Sequence, residues 1–360
     1  VWPEPAPSPA ALMSPVGENI AHAIQFYEAI LGPFPFERLV VAQISGPFGQ
    51  GWPGLLYLST LSFLTDSQQS RAGIGKRTRD QFNELVPIHE VAHQWWGNVV
   101  GWSSYRDQWI NEGLANYLAL MYADAKQPGE LAAWLEAYRD DLTTREPGAD
   151  ESPDQMGPLV LGYRLRSSRS PRAYSQLTYP KSTWVFHMLR TMLRDTSAPD
   201  VRKPGPPKNP DARFNELLQS LLAAHRHGTL NTSDLQRAVE IVMTPEMDLE
   251  GGRKAAGRPG AMDWFLDQWV RGTGIPRYSV EFDVRAQGER FVVRGMLKQS
   301  GVQETFTAAV PIYAPRADGK LALLGTVVPT GNETPFQFTT RIPPKKLLID
   351  PNLTLLCLTK

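Results

Sequence analysis

Two of the six histidines in this 360-residue chain, His89 and His93, stand four positions apart in the stretch IHEVAHQWWGN, with Glu90 directly after the first. A helix turns about 100° per residue, so residues i and i+4 share one face, one turn apart. Both imidazoles then point the same way, which is a start on a divalent-metal site. A buried helix with two incidental histidines is the competing reading. Composition weighs against it, because a chain of this length and histidine content predicts only ~0.005 occurrences of H-E-x-x-H by chance.

A zinc ion used in catalysis takes three protein ligands and keeps a fourth position open, so the pair needs one more. Glu112, in WINEGLANY, follows His93 after eighteen intervening residues. Leu114, Tyr117, Leu118 and Met121 follow it at helical spacing. Two helices joined by an irregular segment, residues 97–107, would bring Glu112 back against the histidines. Alternatively Glu112 only caps the start of its helix, where carboxylates are favoured. Beside H-E-x-x-H the ligand reading is the stronger. Asn116, one turn further on, shares the face of Glu112 and is a candidate to orient a ligand imidazole through its free ring nitrogen.

HEVAHQWWGN followed by WINEGLANY closely resembles the paired signature of the zinc-dependent aminopeptidases of the aminopeptidase N family: H-E-x-x-H, eighteen residues, then a glutamate in a W-x-N-E-G context. The resemblance implies that His89, His93 and Glu112 are the ligands of one Zn2+ and that Glu90 is the general base. FYEAILGPFPFERLVVAQISG, WFLDQWVRGTGIPRYSVEF and KKLLIDPNLTLL resemble weaker blocks of the same family, so the likeness covers nearly the whole chain. It implies a multidomain α+β protein: a mostly helical, thermolysin-like zincin catalytic domain, followed by a small antiparallel β-sandwich. It also implies a peptide substrate and a large N-terminal β domain ahead of these blocks in the full-length protein. LTYPKSTWVFHMLR resembles the family's Y-x-K motif at the start of a helix, which implies Tyr179 as hydrogen-bond donor to the oxyanion of the reaction. A core tyrosine is the plainer reading of Tyr179, and Lys181 reads as a supporting or packing residue.

One motif departs from the pattern. The family carries G-x-M-E-N about thirty residues before the zinc helix, and its glutamate holds the substrate's free α-amine. Here the text is FGQGWPGLLYLS, with Gly51 at the place of that glutamate. Gly49, Gly51 and Trp52 are then candidates for substrate binding, since glycines permit close approach and a strand edge pairs with an extended peptide. The leading expectation is an aminopeptidase-type zinc metallopeptidase. Three others stay open: cleavage of internal or blocked peptide bonds, hydrolysis of an ester or epoxide at the same metal, and a non-catalytic peptide-binding scaffold. A scaffold, however, needs neither ligands nor base.

The elements that must hold these residues are legible in outline. ENIAHAIQFYEAIL has amphipathic helical spacing, ERLVVAQIS and GLLYLSTLSF read as strands, and TRDQFNELVPIHEVAHQWW sets Phe82, Leu85, Val86, His89, Ala92, His93 and Trp96 on one helical face. Pro87 interrupts that stretch, so either a helix begins near it or the backbone kinks just before the histidines. Residues 146–175 read as a long irregular loop whose arginines are those of a solvated surface. His187 reads as a core histidine. From Tyr278 onward YSVEFDVRA, RFVVRGML, TFTAAVPIYA, LALLGTVV and PFQFTTRI alternate apolar and polar residues between turns, which predicts an antiparallel sandwich of about seven strands. The division expected is a proline-rich linker over 1–16, the catalytic domain over 17–275 and the sandwich over 276–360.

Composition limits the remaining possibilities. Thirty-seven basic residues balance thirty-seven acidic ones, which gives no electrostatic case for nucleic acid or an anionic membrane. No apolar run approaches the ~20 residues of a membrane span, and the first residues do not read as a signal peptide. Cys357 is the single cysteine; it excludes an intrachain disulfide, and its apolar surroundings predict a buried structural thiol.

Overall fold

A computed structural model describes residues 12–145, 150–168, 170–194, 209–249 and 261–360. Along the chain run α1 (Met13–Leu31), β1 (Val40–Ile44), β2 (Gln50–Trp52), β3 (Leu55–Ser59), α2 (Asp66–Arg71), α3 (Lys76–Asp80), α4 (Val86–Ala92), β4 (Val100–Trp102), α5 (Gln108–Lys126), α6 (Glu130–Thr143), α7 (Ala173–Leu193), α8 (Ala212–Ala224), β5 (Gly228–Leu230), α9 (Thr232–Val242) and α10 (Asp263–Trp269). Seven strands follow: β6 (Arg277–Gln287), β7 (Arg290–Ser300), β8 (Val310–Pro315), β9 (Leu321–Val327), β10 (Glu333–Thr340), β11 (Leu348–Ile349) and β12 (Leu358–Thr359). The chain is thus mixed helix and sheet. It gathers into two compact units, residues 1–134 with 194–238, and residues 135–193 with 239–360.

The first unit is built around α5, which is buried without interruption from Gln108 to Tyr122. A helix covered on every side is a core helix, and α4 packs against it. α1 lays Ile20, Ala23, Tyr27, Ile30 and Leu31 inward, the spacing of one apolar stripe. The Tyr27 hydroxyl donates to the Ile88 carbonyl at 3.2 Å, one residue before the first histidine of the motif. A three-stranded sheet, in the order β1-β3-β2, flanks the helices, with β3 parallel to β1 and antiparallel to β2.

The structure amends the expected outline in several places. Residues 1–11 of the proline-rich linker lie outside the described residues, and α1 already begins at Met13, so residues 13–16 are helical. Pro87 falls in the first turn of α4, behind a π-helical turn over Gln81–Leu85. A proline costs little there because the first amides of a helix have no intrahelical acceptor. The connection from α4 to α5 is not wholly irregular: β4 pairs in parallel with β5, and Asn111 Nδ2 donates to the Val100 carbonyl at 2.6 Å, tying strand to helix.

In the second unit the strands form a four-stranded sheet, β10-β7-β6-β12, and a three-stranded one, β11-β8-β9. The pairing is antiparallel except that β12 runs parallel to β6, a two-residue ladder too short to leave a periodic signal. The change from helical to strand periodicity coincides with the start of β6. The unit also takes in helices from earlier in the chain. His187 on α7 bonds the Leu353 carbonyl at 2.8 Å, and Gln268 on α10 bonds both the amide and the carbonyl of Thr307. Such long-range ties are set by tertiary packing and have no local pattern. The 146–175 stretch, described from residue 150, is less irregular than its sequence suggests, with 3-10 turns at Pro153–Gln155 and Leu159–Leu165. Cys357 is buried, as expected.

Candidate metal centre

α4 presents His89, and His93 follows at its C-cap with its amide still bonded to the His89 carbonyl at 3.2 Å. The two Nε2 atoms are 2.9 Å apart. Glu112, in the first turns of α5, points its Oε2 at both, 3.4 Å from His89 and 3.5 Å from His93. All three side chains are buried, and their ligand atoms lie within 4.8 Å of one another. Among the described residues this is the single such group.

The cluster fits Zn2+ on its own chemistry. Tetrahedral bonds of ~2.0–2.1 Å to nitrogen and oxygen place neighbouring ligand atoms about 3.3 Å apart, close to the separations found. Two imidazoles and one carboxylate are a donor set of the catalytic kind, with three protein ligands. The electrostatics agree. Burial alone would depress the His93 imidazolium, but the Glu112 carboxylate beside it reverses this and raises its pKa to about 9. Burial pushes the Glu112 carboxyl the other way, and the two histidines overcome it, holding the group far below the usual carboxylate range. A buried carboxylate that wants positive charge and two imidazoles sharing it make a socket for a cation.

Around the cluster the chain supplies supports that spacing does not disclose. His93 Nδ1 lies 2.7 Å from the Trp96 carbonyl, the partner that fixes which nitrogen faces the cluster. Asn116 is buried on α5, one turn beyond Glu112. Gln94 makes two bonds to the β2–β3 hairpin, donating to the Trp52 carbonyl and accepting from the Gly54 amide, each at 2.9 Å.

Glu90 is buried, and desolvation raises its carboxyl above the ordinary value; the neighbouring histidines and the backbone N–H of Gly51, which bonds the carboxylate, act against that rise. β2 therefore lies directly on the motif helix. A Cβ at Gly49 would stand 2.7 Å from Glu90 Oε1, and one at Gly51 would stand 2.7 Å from the Glu90 carbonyl oxygen. The Gly51 carbonyl accepts from Asn98 at 3.4 Å, while the Trp52 side chain is half exposed, at 51%. At Gly51 and Trp52, backbone groups that a peptide strand would use are engaged by the chain's own side chains.

Tyr179 belongs to the second unit, where it is half-buried on α7. It does not begin the helix, which starts at Ala173 and runs through Pro180. A twenty-one-residue helix absorbs one missing amide, and around the proline the hydroxyls of Ser182 and Thr183 bond the Thr178 and Tyr179 carbonyls. Lys181 is fully buried, with Nζ donating to the Gly272 carbonyl at 3.1 Å. Burial lowers its pKa to about 8, against the pull of Asp154. His187 stacks edge-on against Trp184 in the core.

Fold and site together define a mixed helix-and-sheet protein with a buried two-histidine, one-carboxylate candidate metal centre beside a second buried glutamate, Glu90. The Peptidase family M1 domain matches residues 21–201, half of the chain, and the chain belongs to that family. The family is zinc-dependent. The chain is 23% identical to aminopeptidase N of Canis lupus familiaris over 261 residues, which cover 69% of this chain and 23% of that protein. It is 26% identical to aminopeptidase N of Mus musculus over 244 residues, 64% of this chain and 21% of that protein. Among solved structures, Legionella pneumophila aminopeptidase A in complex with aspartic acid matches with a TM-score of 0.65 at 16% identity, covering 96% of this chain and 34% of that one. The chain thus spans about a quarter of the length of the two curated relatives. No described helix is long and apolar enough to cross a membrane.

Proposed function

We propose that this chain carries the catalytic centre of a zinc metallopeptidase of aminopeptidase type, on a thermolysin-like zincin fold within residues 17–275, with residues 276–360 as an accessory β-sandwich. The observation that carries the reading is the buried convergence of His89, His93 and Glu112 with Glu90 next to the first ligand. His89, His93 and Glu112 would hold the metal, and Zn2+, when bound, supplies a Lewis acid that brings the pKa of water from ~15.7 to about 7. Glu90 takes the proton of the attacking water and delivers it to the leaving amine nitrogen. Its burial favours this, because a carboxyl pushed above its ordinary value holds a proton well enough to carry it between two steps. Tyr179, by the family's Y-x-K motif, donates a hydrogen bond to the developing oxyanion, a role typically worth about 3–4 kcal/mol. Asn116 orients a ligand imidazole through its free ring nitrogen, and Gly49, Gly51 and the exposed side chain of Trp52 border the substrate side. The substrate is a peptide, and the family resemblance implies a further N-terminal β domain in the full-length protein.

A second reading has its own observation. Gly51 stands where the family places the glutamate that holds the α-amine, and its surroundings leave no room for a Cβ. Cleavage of internal or N-terminally blocked peptides at the same centre follows from that. The test of the main reading is Glu90→Gln in the metal-loaded protein: peptide hydrolysis is lost while zinc stoichiometry is kept. Undiminished turnover would remove Glu90 from the mechanism.

A further inference from the structure

The β2–β3 hairpin and the residue before it have no assigned role beyond a substrate edge, yet Gly49, just ahead of β2, and Gly51, within it, run so close to Glu90 that neither leaves room for a side chain. At Gly49 a Cβ would meet Glu90 Oε1 at 2.7 Å, Val86 Cγ1 at 2.7 Å and Glu90 Cγ at 2.9 Å; at Gly51 it would meet the Glu90 carbonyl oxygen at 2.7 Å, His93 Cβ at 3.0 Å and Glu90 Oε2 at 3.3 Å. Contacts under 3.0 Å are ones that packed side chains do not make. The hairpin is also pinned so that it cannot swing away. Gln94 bonds the Trp52 carbonyl and the Gly54 amide, and Asn98 reaches the Gly51 carbonyl. β3 holds the inner side of β2 through the Gly51–Leu56 register.

We infer that Gly49 and Gly51 are positioning residues for Glu90: a side-chain-free strap, clamped by Gln94 and Asn98, that fixes the orientation of the carboxylate against the metal-ligand helix. The two glycines act differently. Gly49 lies on the carboxylate and the Val86 side chain, so its requirement for glycine depends on what fills those positions. Gly51 lies on the helix backbone itself, so nothing that shortens a neighbouring side chain can make room there. The strap deepens the proposed function, in which Glu90 moves the proton, and it bears on substrate class. A glutamate at position 51 could not be accommodated without lifting β2 off α4, so Gly51→Glu would not create an α-amine anchor in this chain.

The decisive experiment is a double-mutant cycle on folding stability, which needs no activity. Denaturant unfolding of the full chain is measured for Gly49→Ala, Glu90→Ala and the double variant, with Val86→Ala as a second background. An added methyl in a packed site costs about 1–3 kcal/mol, a roughly 5- to 150-fold fall in the folding constant. The strap predicts a fall in that range for Gly49→Ala alone and one at least fivefold smaller when Glu90 is already alanine. If Gly49→Ala fails to fold and the double variant folds, that rescue is the predicted result in its strongest form. An equal loss in both backgrounds, or relief by Val86→Ala and not by Glu90→Ala, would overturn the assignment and make Gly49 a helix-packing residue. In the zinc-loaded protein Gly49→Ala should then lower kcat with KM within about twofold; a rise in KM alone would reassign the strap to substrate binding. A wild-type chain that cleaves nothing would defeat the hydrolase reading and leave the stability coupling standing.

Discussion

His89 and His93 bring their Nε2 atoms to 2.9 Å, and Glu112 Oε2 completes the triangle from the neighbouring helix. In the metal-free chain that carboxylate keeps His93 protonated up to a pKa of about 9. Zinc must displace this proton. Apparent zinc affinity should therefore rise about tenfold per pH unit from pH 6.5 towards 9 and level off above it, as read by chelator competition. The sign for stability is the reverse. A histidine whose folded pKa is raised contributes stability that is complete below its unfolded value and is lost as pH rises through the folded one. The metal-free chain should weaken between about pH 6.5 and 9, and zinc should abolish that trend.

Glu112→Gln keeps the size of the side chain and removes its charge. Loss of a supporting partner of a metal ligand costs roughly 10–100-fold in affinity, and loss of the sole anionic ligand should cost more. The same substitution should return His93 towards ordinary titration, observable by NMR of the imidazole protons in the metal-free protein.

Tyr27 in α1 reaches across to the Ile88 carbonyl at 3.2 Å. Tyr27→Phe leaves that buried carbonyl without this donor, at a cost of about 1–3 kcal/mol. Urea unfolding checks the loss, and zinc affinity should fall with it, since the bond anchors α4 immediately before His89.

How much of this was legible beforehand varies from residue to residue. The shared face of His89 and His93 was, because helical spacing is a local property, whereas the approach of Glu112 across eighteen residues rested on the family resemblance. β6 to β10 were as well, since each alternates over five or more residues. The strand β2 was not, being three residues long and glycine-bearing, and neither was β12, whose parallel ladder is two residues. The supports of the centre, the Trp96 carbonyl, Gln94 and Tyr27, act through tertiary contact, and nothing in the spacing of QWW or FYEAIL announces which carbonyl or amide each will meet. The resemblance to the Y-x-K motif puts Tyr179 at a helix start, whereas the helix begins at Ala173 and runs on through Pro180, with Trp184, Val185 and Phe186 beyond it fully buried.

Lys181 offers a pH test in the second unit. Its folded pKa is lowered from 10.5 to about 8 by burial, so between these values the unfolded chain binds the extra proton and this group's contribution to stability rises with pH. The full window amounts to about 3 kcal/mol at most. Lys181→Met should remove that rise, so that wild type and variant converge or cross as pH climbs from 8 to 10, measured as the difference in urea midpoint. A constant difference across that range would place the Lys181 charge outside the folding equilibrium.

The most direct measurement is to expose a mixed peptide library, half of it N-terminally acetylated, to the zinc-loaded chain, with chelated and Glu90→Gln protein alongside, and to map the cut sites by mass spectrometry. The proposed function predicts cleavage that vanishes in both controls; trimming confined to free N-termini would mark an aminopeptidase whose amine anchor is not residue 51, and cleavage of acetylated peptides would mark the second reading. Cleavage that survives chelation and Glu90→Gln, or no cleavage by the zinc-loaded chain, would contradict the metallopeptidase assignment.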